Sequence, residues 1–241
     1  MTDVSREQLE QAIAAQEQLR GLLADGVVDA AIAALRSQLA LLDDDSPVDR
    51  RRRQATVMFV DVVDSTDLLR DRDPEETMAI MDSALQRLAG PVRASGGRVT
   101  RFMGDGYLAV FGLPLSHEND AEMAVRAALD VIAEAGRLSA DLAESHGLPD
   151  LAVRVGINTG LVVTGGSTEA ADTIMGSAVN LAARLESAAP PNGLLISQGT
   201  YQHVRDRCTA EAHGSIEAKG FPEPVPVYLV TGWEEARRSG A

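Results

Sequence analysis

Two apolar runs, well apart in the chain, each deliver a carboxylate to their end. Residues 57–60 lead to Asp61, and Arg101, Phe102 and Met103 lead to Asp105 inside the corner Gly104-Asp105-Gly106. A fold that brings two strand ends together would place both aspartates at one spot. Hard divalent cations such as Mg²⁺ and Mn²⁺ take oxygen ligands, and Mg²⁺ is commonly held by one or two carboxylates plus substrate phosphates. Past Asp61, the stretch from Val62 through Asp64, Ser65 and Thr66 passes from a strand end into a helix start. Backbone N–H groups at Ser65 and Thr66 would there face an anion, with the helix dipole favouring phosphate. Either aspartate alone fits a helix cap or an ordinary hairpin tip equally well. Only their combination points to a metal site.

Charge narrows the partners. The formal net charge of -14 argues against nucleic acid, which needs a basic face. The one basic run, from Arg50 to Arg53, reads as a solvated linker. Cys208 stands alone and cannot form an internal disulfide, which fits a reducing compartment and a structural thiol. The first residues lack the basic start and apolar core of a signal peptide, and no run approaches the roughly twenty apolar residues of a membrane span. A cytoplasmic protein with no membrane span is expected.

In chain order, residues 1–45 read as a helical segment, with Val28, Ile32, Leu35, Leu39 and Leu42 at near-heptad spacing. That stripe packs either on its own domain or against a second copy. Residues 46–53 read as linker. Asp73, Pro74, Glu75 and Glu76 open a helix running to Ala94. Strands at 98–103 and 107–111 form a hairpin across Asp105, and residues 118–144 carry amphipathic helix spacing. Residues 151–157 alternate as a strand, Asn158, Thr159 and Gly160 read as a turn, and 161–164 as the returning strand. A helix over 178–186, a strand at 194–197, a short helix at 200–204 and strands near Ile216 and at 225–230 complete the chain. The order βαββαβ predicts an α+β sheet with helices on one face, a ferredoxin-like architecture. Asn180 and Arg184, four apart, share one helix face. Arg could hold charge developing on phosphorus and Asn could orient a sugar oxygen, although a surface Arg beside a polar neighbour is the commoner meaning of such a pair. His117 and His203 have no nucleophile paired with them, so Ser-His-Asp chemistry is unsupported.

Over residues 54–231 the chain resembles the class III nucleotidyl cyclase catalytic domain, and residues 232–241 read as a tail. The motifs come in that family's order: Phe59 to Thr66 around Asp61, Phe102 to Asp105, Val155 to Gly160, Met175 to Arg184, and Lys219 to Tyr228. The resemblance implies a ferredoxin-like βαββαβ core of the class III cyclase type, preceded by the N-terminal helical segment, and a homodimer with two composite sites. On one protomer Asp61 and Asp105, helped by the Val62 carbonyl, would bind two divalent metal ions, Mg²⁺ or Mn²⁺. The partner would supply Asn180 to orient the ribose, Arg184 for the transition state and Lys219 for the terminal phosphates. The substrate would be a nucleoside triphosphate, with ATP favoured.

Base recognition departs from the family's pattern. Where ATP-using members carry Lys, this chain has Arg101, and Thr173 stands where they carry Asp or Thr. Thr173 can accept from the adenine amino group. Arg101 keeps the charge, but its planar fork differs from an ammonium and could satisfy a pyrimidine carbonyl as well as adenine N1. Guanylate cyclases of the family carry Glu there, which disfavours GTP. A catalytically silent nucleotide-binding module stands as the alternative from another class. The N-terminal segment would set dimer geometry or regulate it, or serve as a plain packing helix.

Overall fold

A computed structural model describes residues 51–65, 72–164 and 174–234, all within one compact unit. The expected helical segment at 1–45 lies outside the described residues. Strand β1 (Arg51–Val62) takes in Arg51, Arg52 and Arg53, so the expected linker gives way to strand three residues before position 54. Helix α1 (Pro74–Ala94) starts as its sequence dictates: the Asp73 side chain accepts from the Glu75 N–H, Pro74 opens the first turn, and Glu75 and Glu76 meet the positive dipole end. The hairpin β2 (Arg98–Met103) and β3 (Gly106–Phe111) follows. Helix α2 (Asp120–His146) stops at Gly147, whose φ of 64° makes the left-handed cap.

Strand β4 (Val153–Thr164) corrects the sequence reading. There is no turn at Asn158, Thr159 and Gly160; twelve residues run on as one strand, paired along their whole length with β1. The physical reason lies in the neighbouring helix. The glycines of this stretch serve close backbone approach, which is the other common meaning of a strand glycine. Beyond it come β5 (Ile174–Met175), α3 (Ser177–Ala188), β6 (Gly193–Ser197), α4 (Gln198–Val204), β7 (Cys208–Ile216) and β8 (Val225–Trp233). Gly232 and Trp233, expected in the tail, thus close the last strand.

The sheet order is β2-β3-β1-β4-β6-β8-β7, with β5 added to β4. Its first four strands, in the order β2-β3-β1-β4, form the βαββαβ core that the sequence predicts. Alternation along β1 splits the core in two. Met58, Val60 and Val62 face α1 and α2 with Leu85, Leu88, Val125, Ala128 and Val131. Ala55 and Val57 face the other way and meet Ala178 and Ala182 of α3. The expectation of helices on one face therefore holds for α1 and α2 but not for α3, which covers the opposite face. Its remaining apolar side, Leu181 and Leu185, packs with Leu195 and Val227. Among the described residues, no helix is long and apolar enough to cross a membrane.

Candidate active site

Asp61 is the penultimate residue of β1 and lies opposite Gly106 in the ladder, so the strand pairing brings it to the Asp105 corner. The corner is fixed by backbone bonds: Val62 N–H donates to the Asp105 carbonyl at 3.0 Å, and Val63 N–H to the Ala152 carbonyl at 2.9 Å. Glycine at 106 is required by contact. A Cβ there would lie 2.5 Å from the Val60 carbonyl oxygen and 2.8 Å from Asp61 Oδ1. Gly104 takes φ 63°, the left-handed region a hairpin tip needs. The Ser65 hydroxyl donates to Asp105 Oδ2 at 2.5 Å, while Asp64 turns the chain at φ 49°. Thr66 lies outside the described residues.

The two carboxylates repel, and the electrostatics record it. Burial first, then the negative charges of Asp105 and Glu186, push the Asp61 carboxyl up to about 7, against a lowering pull from Arg154. Glu186, on α3, is raised by its own burial, with the Ser187 hydroxyl and Arg154 opposing. Arg154 and Glu186 were missed in the sequence. Arg154 stands directly across the ladder from Asp61, and its Nε is buried without a hydrogen-bond partner. Its available signal was a lone charge inside the alternating strand 151–157. For Glu186 no local signal exists, because only the seating of α3 brings it to the carboxylates.

Two half-buried carboxylates held against their own repulsion fit a divalent cation in donor type and charge. Among the described residues, no group of three or more His, Cys, Asp or Glu side chains is gathered for an ion. Such a pair would draw its other oxygens from substrate phosphates and water. Ser65 and Asp105 line a cavity of about 770 Å³ with Arg72, Thr77, Asp82 and Phe102.

A second polar set forms elsewhere. Asn180 and Arg184 project from the exposed side of α3 and, with Lys219 from the connection between β7 and β8, line a concavity of about 410 Å³. Gly220 lets that connection close on the helix: at φ 97°, its missing Cβ would lie 2.7 Å from Ser177 Cβ. The structure thus brings Asn180, Arg184 and Lys219 together along one cavity, and Ser65 and Asp105 along another, with Asp61 held beside Asp105 by its pairing with Gly106. Arg101 is exposed on β2 beside a register shift, while Thr173 lies outside the described residues. His117 and His203 flank a different cavity beside Gln54 and Thr56, away from both sets. Cys208 is buried, which raises its thiol to about 11 and leaves it unreactive.

Fold and acidic corner together define an α+β catalytic domain of ferredoxin-like core. Comparison with known proteins makes this specific. Residues 48–232 match the family model for the adenylate and guanylate cyclase catalytic domain, and the chain belongs to that family. Adenylate cyclase 1 of Rhizobium meliloti is 33% identical over 188 residues, covering 75% of this chain and 28% of that protein. The chain thus spans under a third of the length of the bacterial relatives it matches at 32–33% identity. Among solved structures, the adenylyl cyclase CyaB from P. aeruginosa superposes with a TM-score of 0.71 at 30% identity, over 80% of this chain and all of that one. The guanylyl cyclase Cya2 gives 0.72 at 29% identity, over 78% of this chain and 97% of the other. The chain carries a nucleotidyl cyclase catalytic domain, and domains of this family generally use divalent metals.

Proposed function

We propose that this chain is an adenylate cyclase that converts ATP to 3′,5′-cyclic AMP and pyrophosphate at sites shared between two copies, in the cytoplasm. The observation that carries the reading is the separation of the two polar sets: Asp105 of the acidic corner lines one cavity, while Asn180, Arg184 and Lys219 line another cavity of the same chain. Each is half a site. In a homodimer the acidic corner of one protomer would face α3 of its partner.

Asp61 and Asp105, with the Val62 carbonyl, would hold two divalent ions, Mg²⁺ or Mn²⁺, which supply Lewis-acid activation of the ribose 3′-hydroxyl and charge neutralisation on the triphosphate. Asn180 orients the ribose so that O3′ stands in line with the α-phosphorus. Lys219 and the N–H groups at Ser65 and Thr66 hold the terminal phosphates. The O3′–Pα bond forms, the bond from Pα to the β-phosphate oxygen breaks, the 3′-hydroxyl proton leaves to solvent, and pyrophosphate departs. Arg184 places its guanidinium on the charge that builds up at the α-phosphate, so no protein nucleophile is needed.

Arg101 and Thr173 would read the base. ATP is favoured by Thr173 and by the relative named as an adenylate cyclase at 33% identity. Arg101 in place of Lys supports a second reading, a cyclase with a pyrimidine or guanine preference, and the likeness to a guanylyl cyclase keeps it in view. The test is to incubate the protein separately with ATP, GTP, CTP and UTP, in Mn²⁺ and in Mg²⁺, and to separate the products. Cyclic AMP with pyrophosphate as the main products is the expected outcome. A cyclic pyrimidine or cyclic GMP would move the assignment to Arg101, and no product from a folded dimer would leave only a silent nucleotide-binding module.

A further inference from the structure

The stretch from Val155 to Gly160 makes no turn and touches neither proposed half-site, yet it is the most constrained segment of β4. Gly156, Asn158 and Gly160 are alternate residues on one face, and that face carries α3. At Gly156 a Cβ would lie 2.1 Å from the Glu186 backbone nitrogen and 2.4 Å from the Ala182 carbonyl oxygen, so helix backbone rests directly on strand backbone. At Gly160 it would lie 3.2 Å from Ala178 Cβ. Between the glycines Asn158 is 3% exposed. Its Nδ2 donates to the Ala178 carbonyl at 3.0 Å, and its Oδ1 accepts from Ser197 Oγ at 2.7 Å. Ser197 in turn accepts from the Thr200 N–H, and Thr200 Oγ1 reaches Thr159 Oγ1 and Thr56 beyond it. Thus, among the described residues, four of the five buried polar ones, Thr56, Asn158, Ser197 and Thr200, form one network that ends on the first turn of α3.

Apolar contacts between a helix and a sheet permit sliding; a directional bond does not. A buried amide with both ends satisfied fixes one arrangement, because every displaced position strands a polar group. Asn180 lies in the same helical turn as Ala178, and Arg184 one turn on. We propose that Asn158 is the positioning residue of the catalytic helix: its amide fixes α3 along β4, and so sets the height at which Asn180 and Arg184 reach the partner's nucleotide. This rests on the shared-site reading above.

The test combines kinetics with chain mixing. Asn158→Ala should lower kcat about 10- to 100-fold, as small misplacements of catalytic groups do. The KM for ATP should change less than kcat, since the acidic pair does not ride on α3 and Lys219 meets that helix only through the packing of its own connection. Mixed with an Asp61→Ala chain it should regain activity, because one site then combines an intact acidic corner with an intact helix. Mixed with an Arg184→Ala chain it should not. Hydrogen exchange should quicken at the amides of residues 181–185 and stay unchanged in β1 and α1. Unchanged kcat, recovery with the Arg184→Ala chain, or unaltered exchange in α3 would each overturn the proposal. If Asn158→Ala fails to fold, Ser197→Ala removes the hydroxyl that orients the amide, together with the cap on the first turn of α4, and should give the same pattern in α3 at smaller amplitude, with any added exchange confined to α4. Mixing Asp61→Ala with Arg184→Ala is the control. No recovery there sinks the shared site itself, and the exchange of α3 then decides the tether alone.

Discussion

Burial, and then the negative charges of Asp105 and Glu186, push the Asp61 carboxyl up to about 7, against an ordinary value of 3.8. A raised folded value means that the folded state binds a proton the unfolded chain has already lost, so stability falls as pH rises from about 4 to about 7. Without metal, the protein should therefore be more stable toward denaturant at pH 5 than at pH 8 as far as this residue contributes. Asp61→Asn should flatten that part of the profile and exceed the parent in stability at pH 8. A variant that tracks the parent at every pH would count against the assigned cause. The same carboxylates would bind the cation, so proton and metal compete. Mn²⁺ should raise the melting temperature more at pH 8 than at pH 5, and Asp105→Ala should abolish that rise together with turnover while the metal-free fold survives.

At the scale of elements, the seat of α3 on β4 and the helices over the other face answer differently to the same substitution. Gly156→Ala forces a methyl into helix backbone at 2.1 Å, where no side chain can swing aside. It should cost about 2 kcal/mol or more in a denaturant melt, with activity falling in step. Gly136 sits mid-way along α2, and a methyl added there would meet nothing within 4 Å. Gly136→Ala should stabilise by about 0.5–1 kcal/mol through helix propensity alone, with turnover unchanged. Equal effects at the two sites would refute the distinction between a glycine that is needed and one that is merely present.

At the scale of the whole molecule, the proposed shared site would make activity depend on association. Specific activity should fall on dilution, and light scattering should show the monomer appearing over the same range; a monomer of undiminished activity would exclude the homodimer. Legibility in the sequence varies from residue to residue. Asp61 and Asp105 were legible because strand ends and Gly-Asp-Gly corners have local signatures, and Asn180 and Arg184 because helical spacing puts them on one face. The start of α1 was legible because caps and prolines act within a turn. β7 was readable only near Ile216, since most of its residues are exposed and leave no apolar alternation to detect. Asn158 and Gly160 were misread as a turn because the sequence shows glycine's freedom but not the helix that needs its smallness. Local patterns, which depend on neighbours a few residues away, thus determined the elements, the acidic corner and the family resemblance. The side of the sheet that α3 covers, the approach of Arg154 and Glu186 to Asp61, and the separation of the acidic corner from the Asn180, Arg184 and Lys219 group were decided by packing between residues far apart in the chain, which only the tertiary structure contains.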